Sequence, residues 1–199
     1  LKDNHRGLVD ILTAADVPGL NGFGIYPHIK DQPVFSEGEV RYRGETVLAL
    51  VGDRETLERI QFEELPITWH PLDAISGAAA ALAPDAQAVH ENIPDNVLTE
   101  GKLNKGVIAE GINGAAAIAD GELQTAFVEH AYIEPEAGYA RRVGNRIEIV
   151  ACTQAPAMDR EECANVLGVE LDAVRIVPTA CGGGFGGKLD VSLQPMLAV

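Results

Sequence analysis

The chain has 199 residues, 30 of them acidic and 15 basic, for a formal charge of −15. That balance argues against a nucleic-acid or anionic-membrane surface, and no apolar run approaches the roughly 20 residues of a membrane span. With 46% apolar and 23% charged residues, the composition predicts a globular core in one large or two small domains. Cys152, Cys163 and Cys181 are odd in number and form no C-x-x-C pair. They therefore encode neither an iron–sulfur cluster nor a structural zinc, and they predict buried free thiols in a cytoplasmic protein. The start, Leu1-Lys2-Asp3-Asn4, is neither an initiator nor a signal peptide, and Leu193 to Val199 reads as the opening of an apolar element. Both ends are expected to belong to a longer polypeptide.

In chain order, residues 8–12 read as a strand, and Thr13 with Asp16 caps a short helical turn before Pro18-Gly19. A β pair is predicted from 39–42 and 46–51, with 43–45 at the turn. Asp53 caps a helix over 54–64 whose apolar face carries Leu57 and Ile60. Ile67-Thr68-Trp69 returns as a strand, with Trp69 as a core anchor. Residues 76–106, with an alanine run and two prolines, read as a connecting segment. A two-residue Gly144-Asn145 turn joins strands over 139–143 and 146–152. Pro156 opens a helix over about 157–167 that Gly168 closes, and a strand over 174–178 leads into the next segment.

That segment is Gly182-Gly183-Gly184-Phe185-Gly186-Gly187-Lys188, the most informative run in the chain. A loop so free of side chains can adopt positive φ and bring its amides close to a ligand. Amides converging on one concavity bind anionic or oxo groups without a charged side chain. Three readings remain open on the loop alone. Gly182, Gly184 and Gly187 satisfy the dinucleotide spacing G-x-G-x-x-G. Gly182, Gly187 and Lys188 nearly satisfy a phosphate loop, but Leu189 stands where a Ser or Thr must meet magnesium. A structural tight turn is the third. Lys188 reads as an exterior or phosphate-neutralising charge. His130, Glu134 and Glu136 are not read as a metal cluster, because Pro135 and the neighbouring Tyr132-Ile133 favour extended chain.

The wider sequence resembles the molybdenum-binding subunit of the xanthine dehydrogenase/aldehyde oxidase family of molybdenum hydroxylases. "ILTAADVPG", "RYRGETVLALVGDRE" and "ELPITWHPLDA" are similar to that family's a/b hammerhead domain. "FVEHAYIEPEAGYA", "ACTQAP" and "LGVELDAVRIVPTACGGGFGGK" are similar to the beginning of its molybdopterin-binding domain, in the family's order. The resemblance implies an α+β fold: an a/b hammerhead domain over 1–75, a linker over 76–106, and the first part of a molybdopterin-binding domain over 107–199.

It further implies a molybdenum–molybdopterin cofactor and hydroxylation of an aldehyde or N-heterocycle with water-derived oxygen. Gln154 would hydrogen-bond an oxo ligand of the metal, and Gly183, Gly184, Phe185 and Gly186 would line the metal ligands and the pterin. Read without the resemblance, Gln154 is a strand-end amide capping the next helix. No residue of this chain is expected to be catalytic or to bind metal directly, because the family's glutamate base is expected beyond Val199. The chain alone is accordingly expected to lack turnover. Glu134 and Leu189 are the substrate-side candidates, Glu134 with a supporting role as its other option. Where Leu189 stands, the purine-oxidising branch has a glutamate, so xanthine is disfavoured. Expected partners are 2Fe-2S and often FAD domains or subunits, with a small aldehyde or heteroaromatic substrate. The competing expectations are a non-catalytic scaffold or cofactor-handling protein that keeps this fold, and a nucleotide-binding oxidoreductase.

Overall fold

A computed structural model describes residues 1–199. Strands and helices are mixed along the chain: β1 (Leu8–Leu12), β2 (Ala49–Gly52), α1 (Arg54–Leu57), α2 (Ala78–Ala81), α3 (Ile108–Asn113), β3 (Gly138–Val143), β4 (Arg146–Ala151), α4 (Pro156–Leu167), β5 (Val174–Pro178) and α5 (Gln194–Ala198). No helix is long and apolar enough to cross a membrane. The chain divides into two compact units, Leu1–Pro71 with His130–Val199, and Leu72–Glu129.

In the first unit, β3, β4 and β5 form one sheet in that order. The β3–β4 hairpin turns through Gly144, whose φ of 63° suits glycine. β4 and β5 run parallel, and α4 lies between them in sequence. Glu148, on the middle strand, faces its register partners Arg141 and Arg175 and pairs with both, at 2.5 and 3.3 Å. α4 begins with Pro156 and ends at Gly168 in the left-handed region, as the sequence predicts. One side of the helix buries Cys163, Ala164 and Leu167 against Ile149 and Val174. Val166 packs instead with Phe23, Val34, Phe35 and Val191. The N–H groups of Gly19 and Leu20 donate to the carbonyls of Val166 and Asn165, capping acceptors that the helix end leaves open.

The region 39–69 departs from the sequence expectation. β2 pairs antiparallel with β1, and residues 39–42 form no strand. The amide that Arg41 would offer a ladder is taken by Glu45 Oε2 at 2.5 Å, a local bond that competes with pairing. The helix predicted over 54–64 stops at Leu57, and only a 3-10 turn follows at Phe62–Glu64. Leu57 and Ile60 are only half-buried, so tertiary packing gives a longer helix little support. Asp53 does cap α1, accepting from the Thr56 amide, and Thr13 and Asp16 form the expected capping box. Residues 67–69 are not a strand: Pro66 lacks an N–H, and the Ile67 amide turns back to the Leu65 carbonyl at 2.7 Å. Trp69 is no core anchor. It is 50% exposed and stacks on Phe62 at 6.4 Å between ring centroids.

The second unit, Leu72–Glu129, holds the short helices α2 and α3 and contains no buried residue. Its main tie is Asn96. The side chain accepts from the Val89 amide and donates to the carbonyls of Ala81 and Gln87, while its backbone has φ 57°.

Candidate cofactor-binding loop

β4 and β5 are parallel, so both chains leave the sheet at the same edge, the edge at which open α/β sheets place their ligands. The Thr179 amide donates to Ala151 O at 3.1 Å and keeps the two exits together. One exit carries Cys152, Thr153 and Gln154, and the other carries Cys181 and the glycine run.

Three contacts shape the run. The Gly182 amide donates to Glu134 Oε2 at 2.7 Å. Gln154 Oε1 accepts from the amides of Gly186 and Lys188, at 3.1 and 3.3 Å, and its backbone N–H donates to Lys188 O at 2.9 Å. The Gly187 amide closes a turn onto Gly184 O at 2.7 Å. Gly183 and Gly186 take φ of 112° and 95°, and Phe185 is held at 51°, a costly conformation for a bulky residue. The glycines are demanded by close packing as well. A Cβ on Gly184 would lie 2.3 Å from Gln154 Oε1, and one on Gly182 would lie 2.6 Å from Glu134 Cβ.

The amides of Gly182, Gly186, Gly187 and Lys188 are thus spent within the chain, whereas those of Gly183, Gly184 and Phe185 make no hydrogen bond in it. Three successive N–H donors are left for a ligand, and Gly184 is itself buried. The Nε2 of Gln154 is a fourth unspent donor beside them. Phe185 (76% exposed) and Leu189 (46% exposed) project apolar side chains at either end of the turn.

Beneath the loop lies a charge pair that the sequence reading missed. Lys188 is not an exterior charge; it is 1% exposed. Its ammonium donates to Glu134 Oε2 at 2.9 Å, Glu134 O at 3.0 Å and Cys152 Sγ at 3.4 Å, and lies 4.4 Å from the Tyr132 ring centroid. Burial works against this charge, but the bonds to Glu134 and Cys152 outweigh it and raise the lysine pKa above its ordinary value. Hydrogen bonds from Cys152, Lys188 and the Gly182 amide hold the Glu134 carboxyl down to about 2. Burial first, and then the hydrogen bond to Glu134, push the Cys152 thiol up to about 11.

Glu134 is therefore committed to the loop and its lysine, and Glu136 is held by Tyr132 Oη at 2.8 Å and Ser192 Oγ at 3.0 Å. The chain here is not extended as the sequence suggests: Ala131 takes φ 52° and the backbone bends at Ile133 and Glu134. Cys152 and Cys163 are buried as expected, whereas Cys181 is exposed. A lysine directly after a glycine run was the only sequence signal for this charge pair, and nothing in the spacing ties it to Glu134.

Comparison with known proteins gives this geometry a context. The model of the molybdopterin cofactor-binding domain matches residues 89–199. The chain is similar to a probable xanthine dehydrogenase subunit of Bacillus subtilis, 31% identical over 99% of this chain and 26% of that protein. It is also similar to a nicotinate dehydrogenase large molybdopterin subunit of Eubacterium barkeri, 31% identical over 94% of this chain and 44% of that one. Its fold matches that of the aldehyde oxidoreductase of Desulfovibrio gigas with a TM-score of 0.88, at 24% identity, over 98% of this chain and 22% of that one. The chain thus spans between about a quarter and under half the length of these relatives. With its family model covering more than half of its residues, the chain belongs to the molybdopterin cofactor-binding domain family.

Proposed function

We propose that this chain forms one wall of the cofactor site of a molybdenum hydroxylase that oxidises an aldehyde or an N-heterocycle. The observation that carries the reading is the row of unspent N–H donors at Gly183, Gly184 and Phe185, beside Gln154 Nε2. Neutral donors of this kind fit an oxo-bearing, anionic cofactor. The nearest cation, Lys188, is neutralised by Glu134 and is not needed for recognition. When bound, the molybdenum cofactor supplies the two-electron redox chemistry and the route for water-derived oxygen.

The residues of this chain bind and orient. Gln154 donates through Nε2 to an oxo group while its Oε1 holds the loop. The loop from Gly183 to Gly186 presents its backbone to the metal ligands and the pterin. Glu134 supports the loop from behind, and Leu189 faces the substrate side with a side chain that cannot hydrogen-bond a purine. This favours an aldehyde or a different heterocycle over xanthine. The base is supplied by a glutamate outside these residues, and electrons leave through 2Fe-2S and often FAD partners. Residues 1–75 serve as an a/b hammerhead domain, with the β1–β2 pair and α1 among its elements, 76–106 as a connector, and 107–199 as the first part of the molybdopterin domain.

Metal analysis and steady-state assays on the intact protein that carries this chain test the reading. Bound molybdenum with aldehyde or N-heterocycle oxidation, and only weak xanthine turnover, is the expected result. Protein that never contains molybdenum would overturn it in favour of a scaffold. Robust xanthine oxidation would overturn the substrate assignment made from Leu189.

A further inference from the structure

Cys152 and Cys181 belong to the two exits of the sheet that frame the glycine loop. Their Sγ atoms and a Glu134 carboxylate oxygen all lie within 4.8 Å of one another. Cys152 is 3% exposed, directly after β4. Cys181 is exposed, and its Sγ also makes a weak bond, at 3.4 Å, to Gly183 O.

Three such ligand atoms suggest a soft cation, but the Lys188 ammonium already occupies the lone pairs of two of them, Glu134 Oε2 at 2.9 Å and Cys152 Sγ at 3.4 Å. A second positive charge there would meet direct repulsion. Covalent joining of the two sulfurs meets no such obstacle. It requires closing to a bond of about 2.05 Å, and Cys181 sits on an exposed loop where its side chain can move.

We propose that Cys152 and Cys181 are an oxidative modification site that closes to a disulfide when the protein meets a hydroperoxide. The exposed Cys181 thiolate attacks the peroxide, the O–O bond breaks, and Cys181 becomes a sulfenic acid as water or an alcohol leaves. The Cys152 sulfur then attacks that of Cys181, the S–O bond breaks, and the thiol proton of Cys152 leaves with the hydroxide as water. Two thiols lose two electrons and the hydroperoxide gains them. Lys188, donating to Cys152 Sγ, stabilises the thiolate through which this second step passes. Burial pushes the Cys152 thiol up to about 11, which makes it the resolving partner rather than the first to meet oxidant. The product would staple the segment ahead of Gln154 to the start of the glycine loop. The proposal rests on the sulfur geometry and not on the cofactor reading.

The test is peptide mass mapping of the intact protein, reduced, exposed to hydrogen peroxide, then alkylated under denaturing conditions. A linked peptide containing Cys152 and Cys181 is expected, lighter than the sum of its parts by two hydrogens and released by dithiothreitol. Cys181→Ser abolishes the link, and Cys163→Ser leaves it in place, because Cys163 is fully buried in the α4 core. Progress of Cys181 to sulfinic acid while Cys152 stays alkylatable would overturn the proposal. So would a link between two copies of Cys181, or no oxidation at all.

Discussion

Lys188 Nζ lies 2.9 Å from Glu134 Oε2, joining residues 54 positions apart, and the same carboxylate oxygen accepts the Gly182 amide at 2.7 Å. One carboxylate therefore anchors both ends of the glycine run. Lys188 is buried and Glu134 half-buried, so removing the lysine leaves a partly buried carboxylate without its counter-charge. Lys188→Met should lower the melting temperature and speed amide exchange across 181–188. Lys188→Arg should not rescue it, because a planar guanidinium does not fit a pocket shaped around an ammonium. Hydrogen exchange by mass spectrometry checks both; wild-type protection in Lys188→Met would mean that the pair does not hold the loop.

Gly184 should be intolerant of any side chain. Its Cβ would fall 2.3 Å from Gln154 Oε1 and push aside the acceptor that holds Gly186 and Lys188. Gly184→Ala should reduce bound molybdenum in the intact protein by about tenfold or more, the scale of one or two lost hydrogen bonds. Gly101→Ala, with nothing near its Cβ, is the control and should leave the content unchanged.

Gln154 has two separable jobs. Gln154→Glu keeps an oxygen acceptor for the Gly186 and Lys188 amides but removes the N–H donors and adds charge beside an anionic ligand site. The loop should stay protected from exchange while molybdenum retention falls. Gln154→Ala should lose both. Equal molybdenum content in Gln154→Glu and wild type would remove the oxo-donor role.

Asp159 predicts a pH effect on stability. It is fully buried, with Oδ1 unpartnered and Oδ2 taking a long 3.3 Å bond from Gln194. Burial, with help from Asp190 and Glu136 and against a bond from Thr153, pushes its carboxyl from 3.8 up to about 6. A carboxyl raised in the folded state stabilises the fold while protonated. That contribution is complete below about pH 3.8 and is lost as pH rises through 6. Asp159→Asn should therefore gain on wild type between pH 4 and 7.5, by on the order of 3 kcal/mol. Urea unfolding at both pH values measures it, and a constant difference would sink the assignment.

Gly19 caps α4 from a distant part of the chain. A Cβ there would lie 2.3 Å from Asn165 O and 2.4 Å from the Gly168 amide. Gly19→Ala should cost about 1–3 kcal/mol, the range for forcing an extra carbon into a packed site, as read by thermal unfolding.

The readable parts of the sequence were those whose causes are local. A Gly-Asn turn specifies the β3–β4 hairpin, Pro156 and Gly168 bracket α4, and the β-branched Val174, Ile176 and Val177 mark β5, because each signal acts within a few residues of itself. The glycine run declared a loop built for close backbone approach for the same reason. Over 39–69 local preference misled, since Glu45 and the Leu65 carbonyl took the amides of Arg41 and Ile67 that a sheet would have needed, and β2 found its partner in β1 instead. Only the tertiary structure decided that Lys188 lies inside, that Glu134 meets it, and which loop amides remain unspent. Those outcomes depend on burial and on contacts between residues far apart in the chain, and neither leaves a periodicity or a spacing in the sequence.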